Sequence, residues 1–209
     1  VMEGSVFEAP DLTAIDGMGF RAVGGSVISL PSATTYEFRS TWGNHLYRYW
    51  TVSDPGSRLE LPDLTTVTGG TYYNNRLFIQ AWSGGEIDLR SVTTIQDGPW
   101  GDSRYRNIEV LAAGAGSLVR LDSLTSFTDA LAADFGEWLY SRIQAWDSGE
   151  VRCPSLTSLY GVNLVLDATG VMPIAQIESL VAGRVELYGG RTATFPALAS
   201  AIDTDIDVS

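Results

Sequence analysis

Leu61-Pro62-Asp63-Leu64-Thr65-Thr66-Val67 is one copy of a motif that recurs along the chain. Its counterparts run from Ala9 to Ile15, Leu30 to Tyr36, Leu89 to Ile95, Leu121 to Phe127 and Cys153 to Leu159, with degenerate copies from Ile174 to Leu180 and Phe195 to Ala201. Each has an apolar residue at its first, fourth and seventh positions, separated mostly by Pro, Ser, Asp and Thr. Two residues before each first anchor stands another mostly apolar side chain: Phe7, Ile28, Leu59, Ile87, Val119, Val151, Met172 and Ala193. Alternation with period two marks a strand with one buried face. A further alternating segment lies upstream, carried by Phe20 and Ala22, Ile79 and Ala81, Leu164 and Leu166, and Val185 and Leu187. It runs into glycine at Gly24-Gly25, Gly84-Gly85, Gly149, Gly170 and Gly189-Gly190. Glycine there supplies the left-handed backbone or tight bend that a corner needs.

The first anchors fall at positions 9, 30, 61, 89, 121, 153, 174 and 195, so the shortest repeat has 21 residues and the longest 32. No long segment of 3.6-residue periodicity is present, which excludes a helical hairpin repeat. A unit this short cannot bury its apolar side alone and must stack on copies of itself. The expected fold is all-β: a parallel β-solenoid, right-handed β-helix-like, of about eight coils of ~21 residues with loop insertions in the central coils. One domain is expected over residues 1–209, and the chain, opening in a strand, reads as a piece of something longer.

Composition narrows the function. The 209 residues are 44% hydrophobic and 18% charged, which fits a globular chain. All 13 basic residues are arginine, and with 25 acidic residues the net charge is −12. Such a surface repels phosphate backbones and anionic bilayers, so no nucleic-acid partner is expected. No stretch approaches the ~20 apolar residues of a membrane span. A single cysteine, Cys153, excludes an internal disulfide, and it stands at a core anchor. A single histidine, His45, leaves no Cys/His zinc site. No cofactor, metal or catalytic residue is therefore assigned.

The Leu-Pro-Asp-Leu-Thr-Thr-Val run and its copies resemble the irregular leucine-rich-like repeats of bacterial surface proteins. They are similar also to the repeats of receptor L-domains. The resemblance implies a solenoid and a role in adhesion or ligand recognition, at a bacterial cell surface or outside the cell.

The extra residues of the long repeats fall in one place, between the seventh motif position and the upstream strand. They run near Phe38 to Tyr49, Gly69 to Asn75, Asp97 to Asn107 and Asp129 to Ser141. Stacking must bring them out at one corner, and insertions on one face of a solenoid often bind. They carry Trp42, Tyr47, Tyr72, Tyr73, Trp100, Tyr105, Trp138 and Tyr140 beside short polar residues. Trp82 and Trp146, each following Ile-Gln-Ala, should point outward on the neighbouring strand. These ten aromatics are the candidate ligand-binding residues. Aromatic faces beside polar side chains suit a sugar ring, and equally a protein partner. Large loops also need a small core of their own, and aromatics supply one.

Two further patterns admit chemistry. The outward row Glu8, Ser29, Glu60, Asp88, Arg120 and Arg152, with Glu86 and Glu150 beside it, holds carboxylates that a hydrolase or lyase, or a calcium ion, would need. The plainer reading is a solvated face. The threonine row Thr13, Thr34, Thr65, Thr93, Thr125 and Thr157 allows an ice-binding surface or, more simply, hydroxyls that cap turns. The expected function is a non-catalytic extracellular recognition module for a glycan or surface protein, with flanking domains or self-association. A carbohydrate-active β-helix enzyme and a structural spacer are the alternatives.

Overall fold

The computed structural model describes residues 4–38, 43–102, 104–130 and 139–209. Among these residues the strands pair in parallel and form three sheets of six, seven and eight strands. One rung shows the plan. Val27–Ser29 lies in the first sheet, Thr35–Glu37 in the second and Tyr47–Ser53 in the third; Arg58–Glu60 then opens the next rung on the first sheet. The architecture is solenoid-like. No described helix is long and apolar enough to cross a membrane.

The anchors make the core. In the first sheet Phe7 pairs with Ile28, then Leu59, Ile87, Val119 and Val151 follow in register. Leu61, Leu64, Val67, Leu89, Val92, Ile95, Leu121, Leu124, Phe127 and Cys153 have no exposed surface. Burial pushes the Cys153 thiol up to about 12, as for a small hydrophobe rather than a nucleophile. Side chains of the outermost rungs have a neighbour on one side only: Phe7 is 56% exposed and Ile206 67%.

Hydroxyls and carboxylates tie rung to rung. Thr65 Oγ1 donates to the Thr34 carbonyl (2.9 Å), Thr93 to Thr65, Thr125 to Thr93 and Thr157 to Thr125. These four threonines of the row therefore spend their hydroxyl donors on the preceding rung's backbone, which is the capping role. At the corners, Asp54 accepts from Gly24 N–H, and Ser57 and Ser117 accept from Gly25 and Gly84 N–H. Asp205–Val208 is a strand pairing with Arg184–Leu187, and Asp205 Oδ2 meets Arg184 at 3.3 Å.

Glycine at the corners answers two needs. Gly24 and Gly84 have positive φ. Gly149 does not, and its reason is space. A Cβ there would lie 2.4 Å from the Ala112 carbonyl oxygen on the preceding rung, and backbone cannot yield as a flexible side chain can. Gly149→Ala is therefore expected to destabilise by about 1–3 kcal/mol, read as a lowered urea midpoint.

Candidate functional site

The insertions do more than form loops. Strands of the third sheet at the central rungs run to six or seven residues, as in Tyr47–Ser53, Arg76–Trp82, Asn107–Ala113 and Ser141–Trp146. Phe20–Val23 and Arg184–Leu187, without insertions, have four. Tyr47, expected in a loop, is thus a strand residue. Just before three of these strands the chain turns through a left-handed residue: His45, Asn74 and Tyr105 all have φ near +60°. Asn and His visit this region readily; Tyr105 does so against the crowding of its Cβ.

The candidate aromatics separate into three groups. The first caps the loops. The Tyr73 ring meets His45 edge-on at 5.0 Å and Tyr105 at 5.4 Å, with the Arg104 guanidinium 5.2 Å from its centre. Tyr72, next to it in the chain, and Trp100 of the following insertion are 44% and 55% exposed. The second lies on the outer face of the third sheet. Tyr49 stacks on Phe78 (4.9 Å), Tyr47 meets Phe78 edge-on, and Arg76 lies over Phe78. Asn74 joins the two groups, donating from Nδ2 to His45 Nδ1 (2.8 Å) and to the Tyr47 hydroxyl (3.0 Å).

The third group is a trough. Alternation turns Trp82 and Trp146 outward on the third sheet, and the register sets Ala113 between them, paired with both. The two indoles stand two rungs apart, ~10 Å at the usual strand spacing. Leu111 and Ala113 form a nearly closed floor. Glu109, Arg142 and Gln144 also line the depression, whose volume is about 360 Å³. Gln80 Nε2 donates to Glu109 Oε1 (2.6 Å). Trp146 stacks on Tyr188 (5.2 Å), whose hydroxyl donates to Glu186 Oε2 (2.7 Å); Asn163 also donates to Glu186. Tyr140 is half-buried just before its strand. Trp42 and Trp138 lie outside the described residues.

Several residues of this face were not among the expected binders: Tyr49, Phe78, Tyr188, Glu109 and Arg142. Outward alternation on the upstream strand was the signal that could have found them.

Beneath the loops lies a buried charge cluster. Asp97 and Asp129 pair in register, and they and Arg106 are each 4% exposed or less. Arg106 donates to the carbonyls of Gly70 (2.6 Å), Trp100 (2.7 Å) and Gly98 (2.5 Å). Those three acceptors use its aligned N–H groups, so at 3.3 Å it offers Asp97 Oδ1 charge without a directed hydrogen bond. Burial, and then the Asp129 charge, push the Asp97 carboxyl well above the usual carboxylate range, against the pull of Arg106. Asp129 accepts from Ser141 N–H and Oγ.

The carboxylate row of the first sheet pairs in the expected register, Glu60 with Asp88 and Asp88 with Arg120. Arginines meet it: Arg58 approaches Glu60, Arg90 pairs with Asp88, and Arg120 lies 3.2 Å from Asp122 and 4.0 Å from Glu86. No group of three or more His, Cys, Asp or Glu side chains placed to hold a metal ion occurs among the described residues. The chain matches no family model, no curated protein and no solved structure.

Proposed function

We propose that this chain is a non-catalytic recognition module that binds a glycan through the outer face of its third sheet, as part of an extracellular or cell-surface bacterial protein. The observation that carries the reading is the trough between Trp82 and Trp146: two outward indoles over a small apolar floor, with Glu109, Arg142 and Gln144 within it. Sugar C–H faces stack on indoles, and hydroxyls pair with carboxylate, guanidinium and amide groups. The charge pairing of the first-sheet carboxylates with arginine, and the burial of Asp88, support a structural ion-paired row there rather than an acid/base pair.

The scaffold in this reading is a right-handed solenoid of about eight coils of ~21 residues, related to leucine-rich-like repeats of surface proteins. The eight strands of the third sheet support the count, and the right-handed preference of parallel crossovers supports the hand. Apolar side chains exposed on the outermost rungs, such as Phe7 and Ile206, favour contact with flanking domains or another copy. A surface-protein partner is the second reading, favoured by exposed Trp100 and Tyr72 and by Arg104 over the Tyr73 ring.

Affinity electrophoresis against soluble polysaccharides, with a product assay alongside, tests the reading. A retarded band without depolymerisation is expected, and Trp82→Ala should weaken retardation roughly three- to tenfold with the melting curve unchanged. Shortened polymer would make the protein an enzyme. Retardation by no polymer would remove the glycan and leave the protein partner.

A further inference from the structure

Resting on that reading, we infer that the ligand is an uncharged, unbranched polysaccharide of flat, ribbon-like conformation, lying along the stacking axis with sugar rings on Trp82 and Trp146. Three observations converge. The first is direction. Trp82, Ala113 and Trp146 form a row across the strands, since Ala113 pairs with both tryptophans on adjacent rungs. A chain resting on both indoles must run along the stack. The rung spacing of ~4.8 Å is close to the advance of one equatorially linked pyranose, so two rungs match about two sugars. A helically coiled α-linked chain would curve away from the second indole.

The second is relief. Ala113 is 8% exposed and Leu111 7%, so the ring between the indoles passes over a low apolar floor with no room for a branch beneath it. Trp146 has one face covered by Tyr188, so a single face is left for the ligand, and the stacking partner fixes its angle before binding.

The third is charge. Glu109 and Arg142 face each other in register, so the lining has no excess of either sign. Gln80 and Gln144 add neutral amides; Gln80 is already oriented by its bond to Glu109 and by the Trp82 indole N–H, 3.4 Å from its Oε1. Such a set reads hydroxyls and gives a carboxylate or sulfate no surplus cation, while the net charge of −12 repels a polyanion at long range.

The test is calorimetric titration of the intact chain with cellohexaose, cellobiose, maltohexaose and hexagalacturonate. Cellohexaose should bind at least tenfold more tightly than cellobiose, with maltohexaose and hexagalacturonate near the detection limit. Ala113→Leu, which raises the floor between the two indoles, should reduce cellohexaose binding roughly tenfold while the circular dichroism spectrum keeps the parent's β signature. Preference for maltohexaose or hexagalacturonate, or Ala113→Leu binding as the parent does, overturns the inference while glycan recognition stands. Binding of no glycan, in titration or electrophoresis, overturns both.

Discussion

Arg106→Leu is expected to destabilise the protein by about 3–5 kcal/mol at neutral pH, the loss that follows when one partner of a buried ionic group is removed. The side chain has two duties at once. It closes the carbonyls of Gly70, Gly98 and Trp100, which belong to two adjacent insertions, and it is the cation facing Asp97 and, through it, Asp129. Leucine fills volume but leaves three carbonyl acceptors without the donor they now have and takes the facing cation away from Asp97. The pH dependence follows from the direction of the Asp97 shift. A carboxyl raised above its unfolded value favours the folded state fully below that unfolded value, and the contribution is lost as pH rises through the folded one. Removing Arg106 raises Asp97 further. The deficit should therefore be largest at neutral pH and shrink on acidification, as the carboxyls take up protons. Urea midpoints of parent and variant at neutral and mildly acidic pH measure this. A deficit independent of pH would show that Asp97 is not the group that couples to Arg106. Combining Asp97→Asn with Arg106→Leu should recover part of the loss, since the two sites share one cluster.

That cluster was not legible in the sequence, and the reason is physical. Period two and a repeated anchor identify buried positions only where the backbone is a strand. Arg106 stands in an inserted segment with no periodicity, so its burial has no pattern to betray it, and it reads as a polar loop residue. Asp97 and Asp129 did leave a trace: each stands two residues beyond a core anchor, Ile95 and Phe127, at equivalent places in neighbouring repeats. The anchors of the central repeats were readable, because a stack of similar rungs puts like on like; at the degenerate copies the reading failed, since no first-sheet strand forms around Met172 or Ala193 and Ala201 is exposed. The row from Glu8 through Ser29, Glu60 and Asp88 to Arg120 and Arg152 pairs as the repeat alignment requires. The trough was half readable. Alternation turned Trp82 and Trp146 outward, but placing Ala113 between them requires the register across insertions of unequal length. The lengthened strands were hidden for a related reason: Tyr47 to Tyr49 extend because Arg76 to Phe78 on the next rung extend beside them, a cooperative fact that neither segment carries alone.

Trp50→Ala should cost about 3–5 kcal/mol as well, but with a different spatial signature. Trp50 is fully buried at the place where other rungs carry Phe20 or Ile79. Its ring lies 5.5 Å from Phe20 and 4.7 Å from Tyr36, and its indole N–H donates to the Met18 carbonyl at 3.1 Å, where the Tyr36 hydroxyl also points. Alanine empties a volume that these neighbours, fixed by their own pairings, cannot close, and it removes a donor from that carbonyl. Because each rung touches only its neighbours, stability is nearly one-dimensional and the damage should stay local. In hydrogen exchange, amides of Phe20–Val23 and Val27–Ser29 should lose protection while those of Val162–Leu166 keep it. Arg106 immediately precedes Asn107–Ala113, the strand that carries Glu109, Leu111 and Ala113 of the trough, so its loss should weaken glycan binding together with stability; Trp50 lies toward the other end of the sheet, so its loss should leave the Ala113 and Trp146 side of the trough in place. Uniform loss of protection in the Trp50→Ala variant would show instead that all the rungs unfold as one unit, and that the two sites cannot be separated in this way.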